Sequence, residues 1–171
     1  MKKLLLLILA VAMVMSFAAC QTTENPGAST TSGTQTPPED AFTFTYKGTT
    51  ITLFAPAEPI IDALGEPLKY SESTSCAFDG LDKSYDYGSF YLETYPDGDK
   101  DFVYGWWFVD DLVETDEGIY IGATQDQVEA AYGAENYNGT NAYTVKQGNG
   151  TLTVILKEGV VSSIQYAIIT E

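Results

Sequence analysis

Two copies of one short pattern stand 68 positions apart, and that spacing constrains the architecture more than local propensity does. Ile51, Leu53, Ile60, Leu64 and Gly65 superpose on Ile119, Ile121, Val128, Tyr132 and Gly133. Each copy reads as a short extended piece, then a short helix closed by glycine. In the second copy Thr124 and Gln127 have the spacing of a capping box, and Gly133 suits the left-handed position after the last turn. In the first, Pro59 fits an opening turn and Pro67 blocks continuation. A three-strand meander is expected after each helix. The first uses Ser84 to Tyr87, Ser89 to Tyr95 and Phe102 to Val109; the second uses Asn141 to Val145, Thr151 to Leu156 and Val160 to Ile169. Asn-Gly and Asp-Gly pairs between such runs are hairpin signals. A further hairpin, Phe42 to Tyr46 with Thr49 to Phe54, surrounds Lys47-Gly48. Residues 68 to 83 read as loop with a helical turn. The expected fold class is α+β. It comprises two tandem repeats, about 49–110 and 117–171, each a short helix on an antiparallel meander, forming one sheet with an open face.

Gly122, Thr124, Val128, Tyr132 and Gly133 resemble the repeat unit of the β-lactamase inhibitor protein fold. That unit is shared with the small lipoprotein of the outer-membrane barrel-assembly machine. The first copy keeps Ile60, Leu64, Gly65 and Pro67, with Ala55-Pro56 in place of Gly-x-Thr. The resemblance spans residues 51 to 171 and implies the two-repeat fold. It also raises a structural role in envelope assembly.

The N-terminus states an address. Lys2 and Lys3 precede an apolar run from Leu4 to Val14, and small residues lead into Cys20. Positive, apolar, then small is the order of a secretory signal, and the run is too short to span a bilayer comfortably. Phe17-Ala18-Ala19-Cys20 resembles the bacterial lipobox, with Phe17 in place of the usual Leu. The resemblance implies a signal peptide over 1–19, lipid on Cys20 and attachment to the extracytoplasmic face of the cell membrane. Whole-chain texture is similar to small lipoproteins of Gram-positive anaerobes. Residues 20 to 40, rich in Thr, Ser, Gly and Pro, bury nothing and read as a disordered tether. The domain is placed at 41–171.

Cleavage before Cys20 removes two lysines and no acid, moving the formal charge from -16 to -18. The chain has no arginine and no histidine. Both facts argue against nucleic acid and favour a protein partner with a basic surface, or a cation. The acids also keep an exported domain soluble. With Cys20 lipidated, Cys76 is left alone; lacking histidine or a close basic neighbour, it reads as a small buried core residue.

No constellation for catalysis emerges. The absence of histidine removes a Ser-His-Asp triad, a Cys-His pair and a His-based zinc site. Ser71, Ser73 and Ser75 have no evident base. Asp97, Asp99 and Asp101 alternate as a calcium loop begins, but Phe102 and Phe108 occupy its sixth and twelfth positions, so a hairpin tip is expected. Asp110, Asp111, Glu114, Asp116 and Glu117 crowd the linker. They read as a solvated connection, or, in the rival reading, as the carboxylates of an envelope hydrolase. No metal or other cofactor is implied.

The aromatics are the surplus. Alternation places Phe90, Leu92, Trp106 and Phe108 on the core face and Tyr91, Glu93, Tyr95 and Trp107 on the other. Two readings stand for Tyr91, Tyr95 and Trp107. They form an exposed binding patch, or they are covered by residues 68 to 83 or the N-terminal hairpin. The expected function is a non-catalytic binding module for a protein or envelope component, anchored by lipid. Enzyme and assembly factor are the alternatives.

Overall fold

Lys47 and Gly48 both take left-handed backbone angles, φ 49° and 86°, as a two-residue turn between right-twisted strands requires. They join β1 (Thr43–Tyr46) to β2 (Thr49–Thr52). The computed structural model describes residues 36–170. After β2 the chain forms α1 (Ala57–Leu64), which buries Ala57 and Ile60 and stops at Gly65. Four strands follow: β3 (Lys69–Thr74), β4 (Leu81–Asp86), β5 (Phe90–Asp97) and β6 (Lys100–Phe108). A linker leads to α2 (Gln125–Tyr132), whose start is held by a reciprocal cap. Gln127 N–H donates to Thr124 Oγ1 at 3.4 Å, and Thr124 N–H donates to Gln127 Oε1 at 2.9 Å. Then come β7 (Ala142–Gln147), β8 (Gly150–Lys157) and β9 (Val160–Ile168).

The expected α+β class with two matching helix-plus-meander repeats is overturned. The described chain is mostly β, 48% strand against 14% helix. Its strands form one seven-stranded antiparallel sheet, ordered β3-β4-β5-β6-β9-β8-β7, and the separate pair β1-β2. Four strands follow α1 and three follow α2. β6 and β9, expected to be equivalents, are hydrogen-bonded neighbours instead, through Gly105–Ala167, Trp106–Tyr166 and Trp107–Gln165. The mismatch originates in residues 68 to 83, expected to be loop. They supply all of β3 and the start of β4.

Register explains where the core sits. One row crosses the whole sheet: Tyr70, Tyr85, Leu92, Trp106, Tyr166, Leu152 and Val145 are successive cross-strand partners. Leu92, Trp106, Tyr166 and Leu152 at its centre are buried. The β1-β2 hairpin lies over this face, with the Phe44 ring 5.2 Å from Phe90 and 6.1 Å from Trp106. Ile60 of α1 and Val128 of α2 join the same cluster. Near its middle β6 bulges: Glu93 pairs with Gly105 and Thr94 with Val103, so Tyr104 is the extra residue. Beyond the bulge the edge of β6 is taken by the chain before α1. Phe54 N–H donates to the Val103 carbonyl at 3.0 Å, and Val103 N–H donates to the Ala55 carbonyl at 2.9 Å.

Candidate binding face

Successive residues of a strand face opposite ways, so the rows beside the core row define a second face. The first contains Lys69, Asp86, Tyr91, Trp107, Gln165, Thr153 and Thr144. The second contains Ser71, Ser84, Glu93, Gly105, Ala167, Thr151 and Lys146. These side chains are polar or small apart from the two aromatics.

Tyr91 and Trp107 are direct partners on β5 and β6, with rings stacked at 4.9 Å and 24°. Both are half-buried. Much of each ring face is spent on the other ring, so the pair presents edges and outer faces to solvent. The charge of neighbouring Asp86 pushes the Tyr91 phenol upward.

Tyr95 does not join them. The loop between β3 and β4 folds onto this end of the sheet, and Phe78 covers Tyr95 with ring centroids 4.5 Å apart. Tyr95 is 6% exposed, and burial pushes its phenol upward. Ser75 fixes the loop by accepting the Phe78 N–H at 3.1 Å. Gly80, at φ 140°, passes so close to Pro96 that a Cβ would lie 2.9 Å from its ring. For Tyr95 the reading that holds is cover by residues 68 to 83, so it does not belong to an exposed patch, whereas Tyr91 and Trp107 stay half-exposed as a stacked pair.

Beside that pair is a cleft of about 450 Å³ whose lining includes Ser71, Ser73, Asp82, Ser84, Glu93 and Tyr104. Small side chains create it: serines on β3 and β4, and Gly105 directly opposite Glu93. Glu93 is half-buried and has no hydrogen-bond or ion-pair partner among the described residues. Its carboxyl is pushed up to about 7, first by desolvation and second by the charge of Asp82. The nearest lysine along β4 is engaged elsewhere. Lys83 pairs with Asp101 at 2.6 Å, and that bond holds its ammonium pKa up.

Three carboxylates of the acidic linker are engaged in structural hydrogen bonds. Asp110 accepts the Leu112 N–H at 3.0 Å, and Asp116 accepts the Thr43 hydroxyl at 3.0 Å. Glu117 accepts the Tyr132 hydroxyl at 2.8 Å. The Asp97 to Asp101 string forms the β5–β6 turn, with Asp97 paired to Lys100. Cys76 is exposed on the β3–β4 loop rather than buried, because that loop contributes Phe78, not the thiol, to packing. Cys20 and the segment 1–19 lie outside the described residues. Among the described residues no helix is long and apolar enough to cross a membrane.

Glu93 was legible as an outward residue of β5. Its cleft was not, because Ser71, Ser73 and Asp82 belong to residues expected to be loop. Against models of protein families, the curated proteins and the solved structures, the chain gives no match.

Proposed function

We propose that this protein is a non-catalytic binding module, held by lipid on Cys20 at the extracytoplasmic face of the cell membrane. It engages a protein or envelope component through the second face of its large sheet. The observation that carries the reading is the half-exposed Tyr91–Trp107 pair beside the Glu93 cleft. Tyr and Trp combine large contact area with few rotors, which is why they anchor interfaces. An acidic protein without arginine or histidine attracts a partner with basic groups. Binding is favoured over hydrolysis because Asp110, Asp116 and Glu117 of the linker are each hydrogen-bonded to a different partner, while Glu93 sits in an open trough.

A photo-crosslinking residue at position 91 in intact cells tests the binding face, with one at Thr45 as control. Position 91 should capture a discrete partner whose yield falls at least about thirtyfold in Trp107→Ala, the equivalent of about 2 kcal/mol for an anchor residue. Equal capture from both positions, or capture indifferent to Trp107→Ala, overturns the assignment. The anchor has its own test. Cys20→Ala should release the protein from the membrane fraction or leave it unprocessed, and a variant that stays processed and membrane-bound rules out lipid attachment there.

A further inference from the structure

The one positive charge that lines the Glu93 cleft, Lys83, is bound to Asp101, so the carboxylates of the cleft have no cation of their own. Glu93 and Asp82 contribute carboxylates from adjacent strands, and Ser71, Ser73 and Ser84 contribute hydroxyls. Glu93 and Ser84 are direct cross-strand partners, and Asp82 lies two residues along the same strand on the same face. The remaining groups around Glu93 do not neutralise it. Glu72 and Lys83 also line the cleft, but their charged ends are engaged, Glu72 accepting from the Tyr70 hydroxyl and Lys83 bound to Asp101. Lys69 lies in the row of Asp86 and Tyr91. From β6 the cleft receives Tyr104, and beyond it Gly105 of β6 pairs with Ala167 of β9, neither of which titrates.

We propose that this cleft receives a primary alkylammonium group, the kind a lysine side chain carries, held between Glu93 and Asp82 with a serine hydroxyl as its third partner. This assignment rests on the binding-face reading above and specifies what that face recognises. An ammonium has three donors arranged about one point, matching acceptors that converge from two neighbouring strands. Its aliphatic stem lies along Tyr104 while the charge reaches the carboxylates, as long cationic side chains do on apolar surface. A divalent metal ion fits less well. Hard cations require six or more oxygen ligands, and no group of three or more His, Cys, Asp or Glu side chains converges among the described residues. The carboxyl of Glu93, pushed up to about 7 by desolvation and by the charge of Asp82, should fall when an ammonium enters. Amine binding is therefore coupled to loss of a proton near neutrality.

The test follows the Glu93 side-chain carboxyl by carbon NMR in the full chain, in zwitterionic detergent, titrated with Nα-acetyl-lysine methylamide. The uncharged norleucine analogue is the control. The lysine compound should shift that resonance and the norleucine compound should not. Affinity should rise about thirtyfold between about pH 5.5 and about pH 8.5, as Glu93 ionises while the amine stays charged. Glu93→Gln should weaken binding at least about tenfold and flatten the pH profile; Asp82→Asn should weaken it less and leave the profile sloped. Cadaverine and a lysine-containing peptide distinguish the sources. Equal affinity points to free amines, and a peptide advantage abolished by Trp107→Ala points to a polypeptide. Three outcomes overturn the assignment: equal binding of the norleucine analogue, calcium shifting the same carboxyl more strongly than the amine, or no shift at saturating amine. If the amine fails while crosslinking at position 91 still depends on Trp107, only the ammonium assignment falls, and the binding face stands.

Discussion

Trp106 and Trp107 are consecutive in sequence and occupy different environments. Trp106 is wholly buried, stacked on Tyr166 at 4.8 Å and lying beneath Phe44. Among the described residues Trp107 has one aromatic neighbour, Tyr91, and it keeps part of its ring in water. The rows to which they belong differ in the same way. Leu92, Trp106, Tyr166 and Leu152 are closed over by the β1-β2 hairpin, whereas Asp86, Tyr91, Trp107 and Gln165 carry polar or half-exposed groups. A buried ring is stabilised by everything it touches, so its replacement disturbs the whole molecule. A ring paired once on a surface contributes little to folding and keeps its remaining area available for another molecule.

The largest expected effect comes from Trp106→Ala, which should cost about 3–5 kcal/mol of stability by leaving a large cavity, measured as a shift in the urea midpoint. Trp106→Phe should cost far less. It retains most of the ring packing and removes an indole N–H that has no partner among the described residues. If both substitutions cost the same, ring packing is not what separates the two faces.

Gly105→Ala comes next. A Cβ there would lie 2.1 Å from the Tyr166 carbonyl oxygen, so β6 and β9 must move apart where they meet. Destabilisation of about 3 kcal/mol is expected, with hydrogen exchange accelerated in β9 before β8. A neutral substitution would show that the sheet tolerates separation at this junction.

Glu93→Gln sharpens the comparison through pH. The folded-state carboxyl titrates near 7 instead of the ordinary 4.5, so the folded protein holds this proton more tightly than the unfolded chain. Glu93 therefore contributes full stability below about pH 4.5 and loses it as pH rises through about 7. The loss is of order 1–2 kcal/mol once solvent screening at this partly open site is allowed for. Glu93→Gln should match the parent at about pH 4 and exceed it by that amount at about pH 8, by thermal melts in both buffers. A difference independent of pH rules out the raised carboxyl.

The smallest effect on folding belongs to Trp107→Ala, about 1 kcal/mol or less, combined with the largest effect on partner capture. Should it destabilise as much as Trp106→Ala, the second face is core.

Much of this arrangement is written in local turn and cap chemistry. Lys47-Gly48 is read directly as a two-residue reversal because its glycine takes φ above zero without steric cost, and Lys47 and Gly48 both have positive φ here, as do Glu158 and Gly159. Thr124 with Gln127 marks the start of α2 in the same way. β3 is illegible for an equally physical reason. All six of its residues are exposed, so Lys-Tyr-Ser-Glu-Ser-Thr carries no alternation of apolar and polar that burial would impose. With β3 missed, Phe78 could not be placed over Tyr95, nor Ser71 and Ser73 beside Glu93. The pairing of β6 with β9 was likewise hidden, since nothing within either strand records a partner so distant along the chain.

That distant pairing bears on how the molecule assembles. Each strand of a meander finds its neighbour across a short turn, but β6 meets β9 through three residue pairs separated by a long stretch of chain. Closing a loop of roughly 60 residues carries an entropic cost that local hairpins avoid. The two meanders can therefore organise early while their union waits on an encounter between distant parts of the chain, the kind of contact that slows folding. Until then the inner edges of β6 and β9 both offer unpaired backbone groups. An interruption at that stage exposes two strands ready to pair with the wrong molecule.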